Sequence, residues 1–292
     1  MSTNNKSTLG GQSIDQDEAV EYNVISDTGT LFLDDATFSA NETLNALHQY
    51  SNGNLALSTA GNANIGGNAF GDDDIVEVTP SGTAGVYDFV QILFDGGTHF
   101  TATNEDVDAV YVRDNGNIIL STVGNAGLPQ CGGGTLNFID DDLVEWDPTN
   151  TCATMFLDES ATTNLIPNAA GDEDIVGVHL LNDDPNLILF SLAANNTIRG
   201  TAVLDGDVVL YDVANDTASI YFSEANFTSG GEDVDALTLA LQIVPDLVDH
   251  YAISYPLGTP GVTCEALAVR ITARDSSNNV VSPSATTTIT LS

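Results

Sequence analysis

Val107-Asp-Ala-Val-Tyr-Val-Arg-Asp-Asn-Gly-Asn-Ile-Ile-Leu-Ser-Thr122 reads as two strands around a tight turn. Positions 107–112 alternate apolar and polar residues, the period-2 pattern of a half-buried strand. Asn115-Gly116 supplies the left-handed backbone that a two-residue hairpin needs, and 118–122 returns alongside. A loop rich in Gly and Asn spans 124–137 and closes on the triplet Asp140-Asp-Asp142. Leu143-Val-Glu-Trp146 is a third strand. Asp147-Pro-Thr-Asn150 is a turn that uses the fixed φ of Pro, and 153–157 is a fourth strand.

The same order recurs roughly every 60–70 residues. Glu42-Thr-Leu-Asn-Ala-Leu, Glu105-Asp-Val-Asp-Ala-Val, Glu173-Asp-Ile-Val-Gly-Val and Glu232-Asp-Val-Asp-Ala-Leu open successive repeats near 42–104, 105–172, 173–231 and 232–244. Out of phase with these stand Asp15-Gln-Asp-Glu, Asp72-Asp-Asp, Asp140-Asp-Asp and Asp205-Gly-Asp. Four antiparallel strands per unit is the pattern of a propeller blade. The ends are offset. The chain starts near a second strand, with Ser7-Thr-Leu-Gly aligned on Ser58-Thr-Ala-Gly and Ser121-Thr-Val-Gly, and finishes on a lone first strand at 234–239. Residues 1–41 together with 232–244 therefore complete a fourth blade. The expected architecture is all-β: a four-bladed β-propeller-like repeat domain over 1–244, closed by its termini. An open array cut from a longer chain is the rival. After residue 244 the repeat stops, and strands at 251–255, 266–272 and 285–291 suggest a short Ig-like β-sandwich segment over 245–292.

Charge is extreme: 42 Asp and Glu against 5 Lys and Arg, a net −37. So few cations cannot neutralise phosphates, which disfavours nucleic acid and anionic lipid as partners. Such a surface attracts cations, and it also suits plain solvation in brine. No run of about 18 apolar residues is present to span a membrane. The opening residues lack the apolar core of a signal peptide, and with lysine nearly absent the chain is expected to be a piece of a longer exported protein. Cys131 and Cys152 both fall in one repeat, where the others have no cysteine, which suggests a local disulfide and an oxidising compartment; Cys264 is left over.

The acidic clusters are the repeated chemistry. Asp72, Asp73 and Asp74, Asp140, Asp141 and Asp142, Asp172 and Asp174, and Asp205 and Asp207 all precede strands after Gly- and Asn-rich loops. Hard cations want such oxygens, so these are the candidate Ca²⁺ ligands. The same residues also serve as turn residues bonding their own backbone. No EF-hand spacing, Ser-His-Asp arrangement, HExxH or phosphate loop occurs. His48 and His179 occupy equivalent positions in the first strand, with Tyr111 and Thr238 at the other two. In a propeller that strand lines the central channel, so channel packing and a two-histidine metal site both stand open. Trp146 is either core or a sugar-stacking platform.

Val248-Asp-His-Tyr-Ala-Ile-Ser254, Gly261-Val-Thr-Cys-Glu265 and Ala268-Val-Arg-Ile-Thr-Ala-Arg274 resemble the opening of a domain in MshQ-type proteins, associated with the mannose-sensitive haemagglutinin pilus. The upstream repeats resemble acidic repeats of bacterial surface proteins. Those resemblances imply an exported, cell-surface adhesion role. The sequence reading is thus a non-enzymatic, extracellular or cell-surface binding or structural module, with Ca²⁺ as possible modulator and an unidentified protein or glycan partner. A filament or virion subunit, capable of self-assembly, and a polysaccharide hydrolase or lyase are the alternatives.

Overall fold

The computed structural model describes residues 1–3, 5–101, 105–158, 174–228 and 233–239, and the backbone of His250–Ser254 and Arg270–Arg274. The chain divides into two compact units, 1–240 and 241–292. In the second, His250–Ser254 pairs antiparallel with Arg270–Arg274. Asp172, Cys264 and the expected strand at 285–291 lie outside the described residues.

The first unit is all-β and propeller-like, built from repeated antiparallel sheets. One sheet orders Leu44–Gln49, Leu55–Thr59, Ile75–Pro80 and Tyr87–Phe94 from inner to outer strand. The next repeats this with Val107–Val112, Ile118–Thr122, Leu143–Asp147 and Cys152–Leu157. The third uses Ile175–Leu180, Leu187–Leu192, Val208–Asp212 and Thr217–Phe222. A last set joins the two ends of the unit. Val234–Ala236 pairs antiparallel with Ser2–Thr3, Met1 exchanges main-chain bonds with Val20, and Ala19–Asn23 pairs with Thr28–Leu33.

The hairpin chemistry works as the sequence suggests. Gly53 and Gly116 carry φ of 88° and 87° at their Asn-Gly turns, a backbone that Cβ-bearing residues resist. In the third sheet Asn182 and Asp183 take that conformation instead, at 57° and 55°, which Asn and Asp tolerate best among residues with a Cβ.

Three expectations need correcting. The segment between second and third strands is not simply a loop. It forms a small hairpin in every repeat, such as Ala126–Pro129 with Thr135–Phe138 and Ala63–Ile65 with Asn68–Phe70. Runs of three or four residues interrupted by glycine are too short to show a period. The Ser-Thr step that enters the first blade-like set is Ser2-Thr3, not Ser7-Thr8. Ser2 faces Ala236, and its Oγ donates to Glu18 O at 2.7 Å, while Ser7–Leu9 belongs to the small hairpin. Finally, Val107–Val112 is buried nearly throughout rather than on alternate sides. The four inner strands, Leu44–Gln49, Val107–Val112, Ile175–Leu180 and Val234–Ala236, pack against one another and cover both faces. Half-exposure falls instead on outer strands such as Tyr87–Phe94.

Apolar residues from adjoining sheets fill the gaps between them. Trp146, 1% exposed, lies edge-on to Phe94 with ring centroids 5.4 Å apart and meets His99 at 4.6 Å. Burial removes it as a sugar platform. Cys131 and Cys152 form a disulfide that ties the small hairpin of the second repeat to its outer strand. Arg113 joins the second and third sheets through Glu145 and Asp183, at 3.1 and 3.0 Å. Among the described residues no helix is long and apolar enough to cross a membrane.

Candidate functional site

Inner and third strands of each sheet run the same way, because each is antiparallel to the second. Their starts therefore share one end of the molecule. That geometry brings the two acidic phrases of the repeat together on one rim. The join is a main-chain bond made four times: Leu44 N to Gln16 O, Val107 N to Asp72 O, Ile175 N to Asp140 O and Val234 N to Asp205 O, at 3.0, 3.0, 3.3 and 3.3 Å.

Each acidic turn is locked by its last carboxylate. Asp74 Oδ2 accepts from Gly71 N at 2.8 Å, Asp142 Oδ2 from Ile139 N at 3.1 Å and Asp207 Oδ2 from Leu204 N at 2.9 Å. Glu18 does the same for Asp15 N at 2.9 Å. Asp74 and Asp207 use the second oxygen on the turn after the outer strand, accepting from Gly96 N at 3.0 Å and Glu224 N at 2.8 Å. All three Asp side chains are buried. They are turn-formers whose charge satisfies backbone donors. Replacing Asp207 by Ala leaves the buried Glu224 N–H and the partly buried Leu204 N–H without an acceptor, and urea unfolding should read a loss of about 3 kcal/mol.

The other rim carboxyls meet one another. Asp72 contacts Asp106, Asp205 contacts Asp233, and Asp108 contacts Asp174, near Asp140 and Asp141. Burial, then the facing carboxylates, raises the pKa of Asp106 and Asp205 and pushes that of Asp108 well up. Asp174 rises to about 7 through burial and the charges of Asp140 and Asp141; Asp235 also reaches about 7, through burial and Asp233. At the remaining junction Gln16 and Thr43 hold the positions of Asp72 and Asp106. Of the candidate ligands, Asp73 is partly exposed and Asp141 buried, and Asp172 is outside the described residues. Among the described residues no group of three or more His, Cys, Asp or Glu is arranged to hold a metal ion.

Along the axis the equivalent residues meet as the repeat implies. Tyr111 sits edge-on to both imidazoles, 4.9 Å from His48 and 5.0 Å from His179, and the two rings lie 6.4 Å apart. Thr238 Oγ1 accepts from Gln49 N at 3.1 Å, and His179 Nδ1 accepts from Leu239 N at 3.4 Å. Burial, then His179, lowers the His48 pKa to about 3; burial lowers that of His179 to about 4. Both rings are neutral packing groups at ordinary pH.

Repetition made the acidic turns visible in the sequence. The second acidic set, Glu105, Asp106 and Asp108 or Glu232, Asp233 and Asp235, stands at the start of the first strand and points to the same rim from sequence alone. The burial of Asp108 and Asp235 does not show there, because alternation puts them on a polar face.

No family model matches the chain, and no curated protein matches it. Solved structures do. A protein from Lactobacillus plantarum is 8% identical with a TM-score of 0.36, over 91% of this chain and 89% of that one. Virginiamycin B lyase from Staphylococcus aureus is 10% identical with a TM-score of 0.33, over 76% and 72%. The extracellular domain of a hybrid two-component system from B. thetaiotaomicron is 10% identical with a TM-score of 0.30, over 71% of this chain but only 28% of that chain.

Proposed function

We propose that residues 1–244 are a four-bladed β-propeller closed by its own ends, acting as a non-enzymatic binding module of an extracellular or cell-surface protein. Residues 245–292 belong to a small sandwich-like segment that follows it in the sequence. Partners meet the acidic rim, and Ca²⁺ modulates that contact. One observation carries this reading: carboxyl groups of neighbouring repeats converge in pairs on a single rim, at Asp72/Asp106, Asp108/Asp174 and Asp205/Asp233. The cations Lys6, Arg113 and Arg199 are engaged elsewhere, with Asp15, with Glu145 and Asp183, and with Asp216.

Paired like charges at a partly desolvated surface are relieved by a proton or by a bound cation. Pairing of the two ends of the repeat unit supports closure, since it removes sheet edges that an open array would leave exposed. The Cys131–Cys152 bridge supports an oxidising location. Carboxylates committed to backbone donors at the turns, and buried pairs beside them, favour binding over hydrolysis.

The test is a melting series at pH 7.5 with CaCl₂ against NaCl of equal ionic strength, paired with gel filtration. A cation-accepting rim gives a midpoint rising several degrees more in CaCl₂ than in NaCl. Equal responses to the two salts reject the rim as a cation surface.

A further inference from the structure

We infer that Asp108 and Asp174, at the starts of the first strands of the second and third repeats, are the carboxylate ligands of a divalent-cation site. The inference rests on the reading of the rim given above and narrows it to one place.

Asp108 is the most unusual polar residue among those described. It is only 3% exposed, and neither carboxylate oxygen receives a hydrogen bond. Asp174 Oδ1 is likewise buried without a donor. The two carboxyls nevertheless approach each other closely, with Asp140 also acting on Asp108 and Asp141 on Asp174. Two carboxylates in contact have acceptors only, so they bond to each other only when one carries a proton. Otherwise the arrangement needs a cation between them. A buried carboxylate left without donor or counter-ion is strongly unfavourable. Only Asp108's own amide acts on its carboxyl, and not in hydrogen-bond geometry, in contrast to Asp74 and Asp207, each held by two main-chain N–H groups. Hard divalent ions accept few carboxylates together with neutral oxygens and water, so two acidic ligands suffice.

The repeat provides its own control. The position of Asp108 is filled by Asn45 in the first sheet and by Val176 in the third, at the same place relative to the junction bonds. A neutral side chain is therefore compatible with the strand, and Asp108→Asn should fold.

The experiment compares wild type, Asp108→Asn and Asp72→Asn at pH 8, in EDTA and in saturating CaCl₂ or MgCl₂, by differential scanning calorimetry. Wild type should gain about 5–10 °C with the divalent ion. Asp108→Asn should melt higher than wild type in EDTA, because the repulsion is gone, and should lose most of the divalent response. Asp72→Asn should keep it. A full divalent shift retained in Asp108→Asn overturns the assignment while leaving the rim reading intact. No divalent shift in wild type overturns both. A response lost in Asp72→Asn but kept in Asp108→Asn moves the ion to the neighbouring pair and rejects the Asp108–Asp174 site.

Discussion

Deleting residues 1–5 should lower the thermal midpoint by more than 10 °C or abolish the single cooperative transition. The segment is short, yet Ser2 and Thr3 are 0% exposed and lie opposite Ala236 and Val234. Met1 exchanges two main-chain bonds with Val20, at 3.0 and 2.9 Å, and Ser2 Oγ reaches Glu18 O. Removing it strips one edge from Ala19–Asn23 and the partner from Val234–Ala236, leaving backbone groups unpaired on both. A loss of 3 kcal/mol or more corresponds to roughly 10 °C for a unit of this size. The control is the exposed turn at Val24 and Ile25, 71% and 95% exposed, where serine substitutions should shift the midpoint by no more than about 1–2 °C. An unchanged midpoint in the deletion would rule out a ring held by its ends.

The second large effect is a pair of opposed pH dependences. Asp174 and Asp235 have folded pKa values raised to about 7, and Asp108 is raised as well. Their contribution is complete below the unfolded value near 4 and is lost as pH climbs through about 7. His48 and His179 are depressed to about 3 and about 4. Below about 6.5 the unfolded chain takes up protons that the folded chain refuses, so stability is lost as pH falls toward those values. At roughly 1.4 kcal/mol per unit the two sets oppose each other with several kcal/mol on each side. In EDTA, the melting midpoint of the wild type should therefore vary little between pH 4 and pH 7. His48→Phe with His179→Phe should unmask a midpoint that rises on acidification, on the order of 10 °C across that range. Asp235→Asn should tilt the profile the other way. Calorimetry at half-unit steps decides it, and two variants with parallel profiles would refute the assignment.

Much of this was legible before any coordinates, for a local reason. Period-2 runs such as Val107-Asp-Ala-Val-Tyr-Val112 and turn residues such as Asn115-Gly116 act within a few residues of themselves, so they declare strand and hairpin wherever they stand. The acidic turns were visible because they recur, and Asp74, Asp142 and Asp207 each accept one bond from three residues back. The small Gly-rich hairpins were not visible, since three-residue strands leave no period to count. Ser2-Thr3 and Ser7-Thr8 spell the same dipeptide, and only Ala236, over 200 residues away, selects between them.

Residue order alone thus determined the strand-turn-strand unit, its repetition, the acidic surface and the equivalence of His48, Tyr111 and His179. Tertiary structure decided which polar residues lose water. Asp108 alternates like a surface residue, yet it lies on an inner strand flanked by the inner strands of neighbouring repeats. Solvation depends on what packs opposite a side chain, and in a repeat array that neighbour comes from a different unit, about 60 residues away or more.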